Sequence, residues 1–381
     1  MHTAKKYALR LALLCAAAAS TGCDNLIQDI DVTLADFPPK LAVSASIDTD
    51  SGTFWLYFTE ARSLSYYKMW QNERKKIIRK GTASLYEDDN PTPIYRIVDG
   101  GNGQGFDMSL RSGSESGFSV EHRGLTLKAG SSYKLTIEVE GYPTATATVV
   151  MPYPPAVEDM ALDTEQKVWR RRPYIVNSGY GYSSDDNEFY PLNLRLTDGS
   201  RNRDYYMFRA KATTTYHHHY QGYDDVYDVA TWIPVAVANR ALIQDNPDLE
   251  AEELPLNAEP DVFLFYRMLI SDMSFANATG AINLLLPEMY AKPTPPDLCD
   301  TASQPYEQTR TEIYISHLSP VTYEHHRSLM LQRNEVSFFT EPVSIVSNIE
   351  NGYGCFAAFN TVRTTVQESC SCRKEPIYTI E

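Results

Sequence analysis

Apolar and polar residues alternate one for one along much of this chain. Tyr133, Leu135, Ile137 and Val139 are interleaved with Lys134, Thr136 and Glu138, and Leu41, Val43, Ala45 and Ile47 with Ala42, Ser44 and Ser46. A period of two puts one class of side chain on each face of a strand, whereas a helix needs a period near 3.6. Gly141-Tyr142-Pro143 supplies a turn, after which Thr144, Thr146 and Thr148 alternate with Ala145, Ala147 and Val149. Thr53 to Phe58 is a dense aromatic strand, and Ala83 to Tyr86 and Ile94 to Val98 flank the turn residues Glu87-Asp88-Asp89-Asn90-Pro91. Short strands separated by Gly, Pro and Asp predict a mainly β fold that opens with an immunoglobulin-like β-sandwich over residues 37–152.

Met151-Pro152-Tyr153-Pro154-Pro155 is a stiff boundary. Residues 153–381 are expected to form a larger β-rich domain with one or two short helices. Its strands are predicted at Tyr205 to Ala212, Thr231 to Ala238, Val262 to Ile270, Ala281 to Leu286 and Thr311 to Ile315. Ser319-Pro320 is a helix start, with serine as N-cap and proline at the first helical position. Tyr323, His326 and Met330 follow at helical spacing. The chain of 381 residues is long enough for two cores, and 43% apolar with 22% charged residues describes a folded, water-facing protein. A formal charge of −15 excludes general nucleic-acid binding, which needs a positive field.

The N-terminus is an address. Lys5, Lys6 and Arg10 precede a short apolar run from Leu11 to Ala19, too short to span a bilayer and laid out as a secretory signal peptide over residues 1–22. Ser20-Thr21-Gly22 before Cys23 resembles the lipobox of bacterial lipoproteins, with Ser20 where that pattern prefers an aliphatic residue. Cys23 is therefore the expected lipidation site and membrane anchor. Residues 23–36 carry Asp24, Asp29, Asp31 and Asp36 with no basic residue and read as an acidic tether.

Beyond the anchor, Cys299, Cys355, Cys370 and Cys372 remain. Four cysteines in an exported protein predict two disulfides. Cys370 and Cys372 are too close in sequence to bridge each other readily, so each is expected to reach back to Cys299 or Cys355, in either assignment.

Phe338-Phe339-Thr340-Glu341-Pro342-Val343 runs on through Ser347-Asn348-Ile349-Glu350-Asn351-Gly352-Tyr353-Gly354-Cys355-Phe356. With Gly141-Tyr142-Pro143, Leu34 to Val43, Ile270-Ser271-Asp272 and Tyr323 to Leu329, this stretch resembles a family of Bacteroidota outer-membrane lipoproteins defined as a domain of unknown function. The resemblance covers roughly residues 20 to 381. It implies an outer-membrane lipoprotein, lipid-anchored at the cell surface, with a TonB-dependent transporter as partner, and carries no catalytic residues to transfer. Asn351-Gly352 reads locally as a tight turn with glycine supplying the positive φ.

HExxH, G-x-S-x-G and the phosphate-binding glycine loop are all missing from the sequence. The Asp48-Thr49-Asp50-Ser51-Gly52 run resembles part of a calcium loop but reads as a hairpin turn. No cofactor and no metal site is expected. His217 and His219 would share one face of a strand, yet a metal needs three or four converging ligands. The candidate binding surface is tyrosine-rich: Tyr180 and Tyr182 in one loop, and Tyr216, Tyr220, Tyr223 and Tyr227 in another. Tyrosine among Ser, Gly and Asn gives adaptable contact area at low entropy cost. The expected function is non-enzymatic assistance to a TonB-dependent transporter in nutrient capture or uptake. The alternatives are a surface adhesin or structural envelope protein, and a hydrolase using the histidine hairpin.

Overall fold

The structure is a computed structural model that describes residues 39–61, 81–98, 118–169, 173–176, 188–197, 203–220, 223–237, 262–265, 267–272, 279–288, 306–334 and 344–372. It is mainly β, as the alternation predicts. The first half supplies β1 (Lys40–Asp48), β2 (Thr53–Ala61), β3 (Thr82–Glu87), β4 (Tyr95–Val98), β5 (Phe118–His122), β6 (Ser132–Glu138) and β7 (Ala145–Val150). The second half adds β8 (Ala156–Leu162), β9 (Val168–Trp169), β10 (Pro173–Val176), β11 (Glu188–Thr197), β12 (Tyr205–Tyr220), β13 (Tyr223–Ile233) and β14 (Val235–Val237). It continues with β15 (Val262–Phe265), β16 (Met268–Ser271), β17 (Thr279–Pro287), β18 (Tyr306–Leu318), helix α1 (Pro320–Asn334) and β19 (Gly352–Cys372).

These strands form three sheets. The largest runs β13-β12-β18-β19-β1-β2-β5, with β16 also on β12; the others run β10-β15-β14-β17-β11-β8, with β9 on β11, and β4-β3-β6-β7. One core lies between the β4-β3-β6-β7 sheet and the β19-β1-β2-β5 end of the largest sheet, where Leu41, Ile47, Phe54, Leu56, Leu85 and Tyr133 are buried. A second lies between the β12-β18 end and the β17-β11 sheet, around Leu192, Phe208, Ile233, Leu284 and Ile315. Both cores follow from strands that bury every second residue.

The long strand β19 joins the two ends. Its first part pairs in parallel with β1, from Leu41↔Gly352 to Asp48↔Phe359, and its remainder pairs antiparallel with β18, from Leu318↔Phe359 onward. The backbone must come very close to β1 here. A Cβ on Gly354, at φ +108°, would sit 1.8 Å from the Val43 carbonyl oxygen, and one on Gly352 would sit 2.8 Å from that of Leu41. The positive φ of the turn before β19 belongs to Asn351, at +58°, so Gly352 serves the close approach. Asn348 then clamps the strand: Phe356 N–H donates to its Oδ1 at 2.9 Å, and its Nδ2 donates to the Phe356 carbonyl at 2.9 Å. The Asn-rich stretch that carries the family resemblance is thus the seat of β19.

Helix α1 begins as the sequence predicts, with Pro320 first and the Ser319 hydroxyl accepting from Thr322 N–H at 3.4 Å. Tyr323 and Met330 pack with Cys355, Ala357 and Phe359 against the face of the largest sheet opposite the cores.

The expected disulfides are overturned. Among the described residues no cysteine pair lies at bonding distance, and Cys355 is a free thiol, 3% exposed beneath α1. The reason is topological. Cys355, Cys370 and Cys372 lie on one continuous strand, so roughly 50 Å of extended backbone separates Cys355 from Cys370, and a bridge needs Cα atoms within about 7 Å. Burial pushes the Cys355 thiol up to about 12. Cys299 and Cys23 lie outside the described residues.

Candidate functional site

Strand register decides which side chains meet. Ile313, Ala210 and Ile233 turn into the second core. Their immediate neighbours on the same strands, Tyr314, Arg209, Lys211 and Trp232, therefore face the other way. Cross-strand pairing sets Arg209 opposite Tyr314, Lys211 opposite Trp232, and Tyr314 opposite Arg363. The end of β1 adds Asp48, opposite Phe359 on β19. Together they line a cleft of ≈ 240 Å³, rimmed by Asp50, Ser51 and Arg123.

Asp48 reaches this position through its turn. It closes the β1–β2 hairpin, as predicted for the Asp48–Gly52 run, by accepting from Asp50 N–H on its Oδ1 at 3.0 Å. Thr49 Oγ1 accepts from Thr361 N–H at 3.0 Å, fixing the turn to β19. Burial raises the Asp48 carboxyl above the ordinary carboxylate value, against the opposing pull of Asp50 N–H, Thr361 and Arg209.

Arg209 occupies the centre. Its guanidinium lies 4.9 Å from the Trp232 ring centroid, 5.8 Å from that of Tyr314 and 6.0 Å from that of Phe359. Such contacts are each worth about 0.5–2 kcal/mol, the larger values when desolvated. Burial, with Arg267 adding repulsion and Asp48 opposing, lowers its proton affinity. Trp232 meets Tyr314 edge-on, with centroids 5.3 Å apart at 65°. Arg363 sits 3.5 Å from Asp50 and 3.8 Å from Glu312 and is 6.0 Å from the Tyr314 centroid. The Tyr314 hydroxyl donates to Glu312 Oε2 at 3.3 Å, and burial raises its ionisation above the ordinary value.

The tyrosine surface is brought together in part. Tyr216 and Tyr227 are cross-strand neighbours on the β12–β13 hairpin and stack at 5.1 Å with an 18° tilt. Tyr220 and Tyr223 close the same hairpin as a register pair. Tyr180 and Tyr182 lie outside the described residues. In register, His217 pairs with Val226 and His219 with Asp224; among the described residues no group of three His, Cys, Asp or Glu side chains converges to hold a metal. Sequence reasoning missed the cleft. A signal was present, since Arg209 and Lys211 alternate with buried Phe208, Ala210 and Ala212, but the register that adds Asp48, Trp232 and Arg363 is not local.

Fold and cleft define a β protein in which one long sheet serves two cores and carries a cationic, aromatic-walled recess on its other face. The sequence matches the family described as "Domain of unknown function (DUF4249)" over residues 27–365, and the chain belongs to that family. That membership is consistent with an accessory role at the outer membrane. Among curated proteins none matches the sequence. No helix among the described residues is long and apolar enough to cross a membrane.

Proposed function

We propose that this protein is a non-enzymatic outer-membrane lipoprotein, anchored through Cys23 and displayed at the cell surface, that assists a TonB-dependent transporter in nutrient capture or uptake. The family resemblance supplies the transporter association. The observation that carries the reading is β13. This strand stands at the end of the largest sheet among the described residues and leaves Val226, Tyr227 and Val229 exposed at 56%, 45% and 44%. Asp224, Asp225 and Asp228 give this edge the charge that natural edge strands carry, and the exposed apolar side chains grouped on the same element mark an interaction surface. The cleft also suits binding, because its acids Asp48 and Asp50 face arginines. An immunoglobulin-like sandwich in the first half belongs to this proposal, with two sheets facing one core as a stand-off module between tether and partner.

The test is purification of the full chain from native membranes in mild detergent. A TonB-dependent transporter is expected among its companions. Replacing Tyr227 and Val229 together by serine is expected to release it with little change in thermal stability, since an aromatic anchor commonly contributes about 2 kcal/mol or more. Cys23→Ala is expected to abolish membrane association. Recovery without any transporter would favour the adhesin class.

A further inference from the structure

Two cations share one acid in the cleft, in a chain whose overall charge is −15. Arg123 pairs with Glu121 at 2.7 Å, and Arg363 lies 3.5 Å from Asp50 and 3.8 Å from Glu312, which leaves Arg209 and Lys211 against Asp48. The pairing inside is loose. Among the described residues the acid closest to Arg209, Asp48, is 3.9 Å away, beyond hydrogen-bond distance. Its Nη2 reaches the Ser316 hydroxyl only at 3.5 Å, and its Nε is buried with no hydrogen-bond partner among the described residues. Buried donors are ordinarily satisfied, and an orphaned one on a charged group is the costliest kind. Lys211 Nζ lies 5.8 Å over the Trp232 ring, and it forms no ion pair among the described residues.

We propose that this cleft is a binding site for a small ring-bearing carboxylate, whose anionic group is received by Arg209 and Lys211 and whose ring packs against Trp232. A guanidinium presents a planar fork that matches a carboxylate. Against Arg209 and Lys211, Asp48 leaves room for one negative charge, and with Asp50 nearby it repels a doubly charged phosphate. Trp232 is 42% exposed, so part of the indole is open to a ring. Tyr314 meets it edge-on, making an aromatic corner. A volume of ≈ 240 Å³ admits one ring with its substituent, below the usual range for drug-sized ligands. The inference stands independently of the transporter reading, since it rests on Arg209, Lys211 and Trp232 in the cleft and not on the exposed Val226, Tyr227 and Val229.

Two sources share this chemistry, sugar acids and aromatic acids. Calorimetric titration of the full chain at low ionic strength separates them, using glucuronate and phenylacetate, each beside its neutral counterpart, glucose and phenylacetamide. At least one acid is expected to bind about tenfold or more tightly than its neutral counterpart, and the acid that does identifies the source. Lys211→Gln is expected to weaken that binding about three- to tenfold without changing the melting temperature. Arg209→Gln is expected to abolish it. Should Arg209→Gln fail to fold, Lys211→Gln and the charged-to-neutral ratio decide. Acids that bind no better than the neutral compounds, or affinity unchanged in Lys211→Gln, would overturn the proposal and leave Arg209 as a packing element alone.

Discussion

Arg209 Nη2 and Asp48 Oδ2 lie 3.9 Å apart, yet they come from strands that serve different cores, β12 the second and β1 the first. The pair sits where β19 changes partner from β1 to β18, with Phe359 in register with both Asp48 and Leu318. Charged groups are held here because the face opposite the cores is only partly covered, and both side chains keep nearly a fifth of their surface exposed, at 18% and 19%.

Asp48 should leave a signature in the pH dependence of stability. Burial holds its carboxyl above the ordinary 3.8, so the folded protein keeps this proton more tightly than the unfolded chain does. Its contribution is therefore full below pH 3.8 and is lost as pH rises through the folded value. Wild-type stability minus that of Asp48→Asn is expected to fall across that window in urea melts. A difference that climbs with pH would show that attraction to Arg209 outweighs burial.

The seat of β19 is expected to be intolerant of small changes. Gly354→Ala would place a Cβ 1.8 Å from the Val43 carbonyl oxygen at a φ of +108°, a backbone region where L side chains are strained. A loss of more than about 3 kcal/mol follows from the named mechanism of strain plus overlap. Asn348→Ala removes two backbone contacts to Phe356 and is expected to cost about 1–3 kcal/mol. Chemical denaturation of both variants checks the order. Equal and small effects would mean that β1 and β19 part without consequence.

The contrast between these two sites shows what a sequence can carry. The alternation in Tyr133–Val139 is local chemistry and reappears as β6 with Tyr133, Leu135 and Ile137 buried. The Ser319-Pro320 start of α1 is equally local. The pairing of β1 with β19 joins opposite ends of the described chain, and no period in either strand names its partner. The cleft depends on that pairing and on three further registers, so Trp232 reads in sequence as one more strand residue. The cysteines failed for a related reason. Counting them suggests bridges, whereas one long strand keeps Cys370 and Cys372 far from Cys355.

His326 predicts an acid-sensitive helix packing. It lies 5.9 Å from the Phe359 ring. Burial, then Arg267, His325 and Arg209, depress it from 6.5 to about 3. A histidine held neutral contributes stability that is present above its unfolded value and lost as pH falls from 6.5 toward 3. By pH 5 the loss is expected to reach about 1–2 kcal/mol. His326→Phe should flatten this part of the stability profile. The same slope in both proteins would assign the acid loss to other groups.

Residues 37–152 have a strand pattern that is self-sufficient on paper, and a fragment experiment addresses whether it suffices in water. The core these strands build also contains Ile349, Phe356 and Ala358, and β1 pairs along its length, from Leu41 to Asp48, with β19. Without β19, one edge of β1 would be left open and that side of the core uncovered. A buried phenylalanine lost to truncation costs about 3–5 kcal/mol, a large share of what a domain of this size has in total. Glu350 adds a backbone bridge to Thr146 in both directions, at 3.2 and 2.7 Å. The fragment alone is therefore expected to unfold without a cooperative transition. Adding a synthetic segment of residues 344–366 should restore one, with a midpoint that rises with segment concentration. A sharp urea transition from the fragment by itself, unmoved by the added segment, would make residues 37–152 an independent domain and reduce β19 to a late-docking strand.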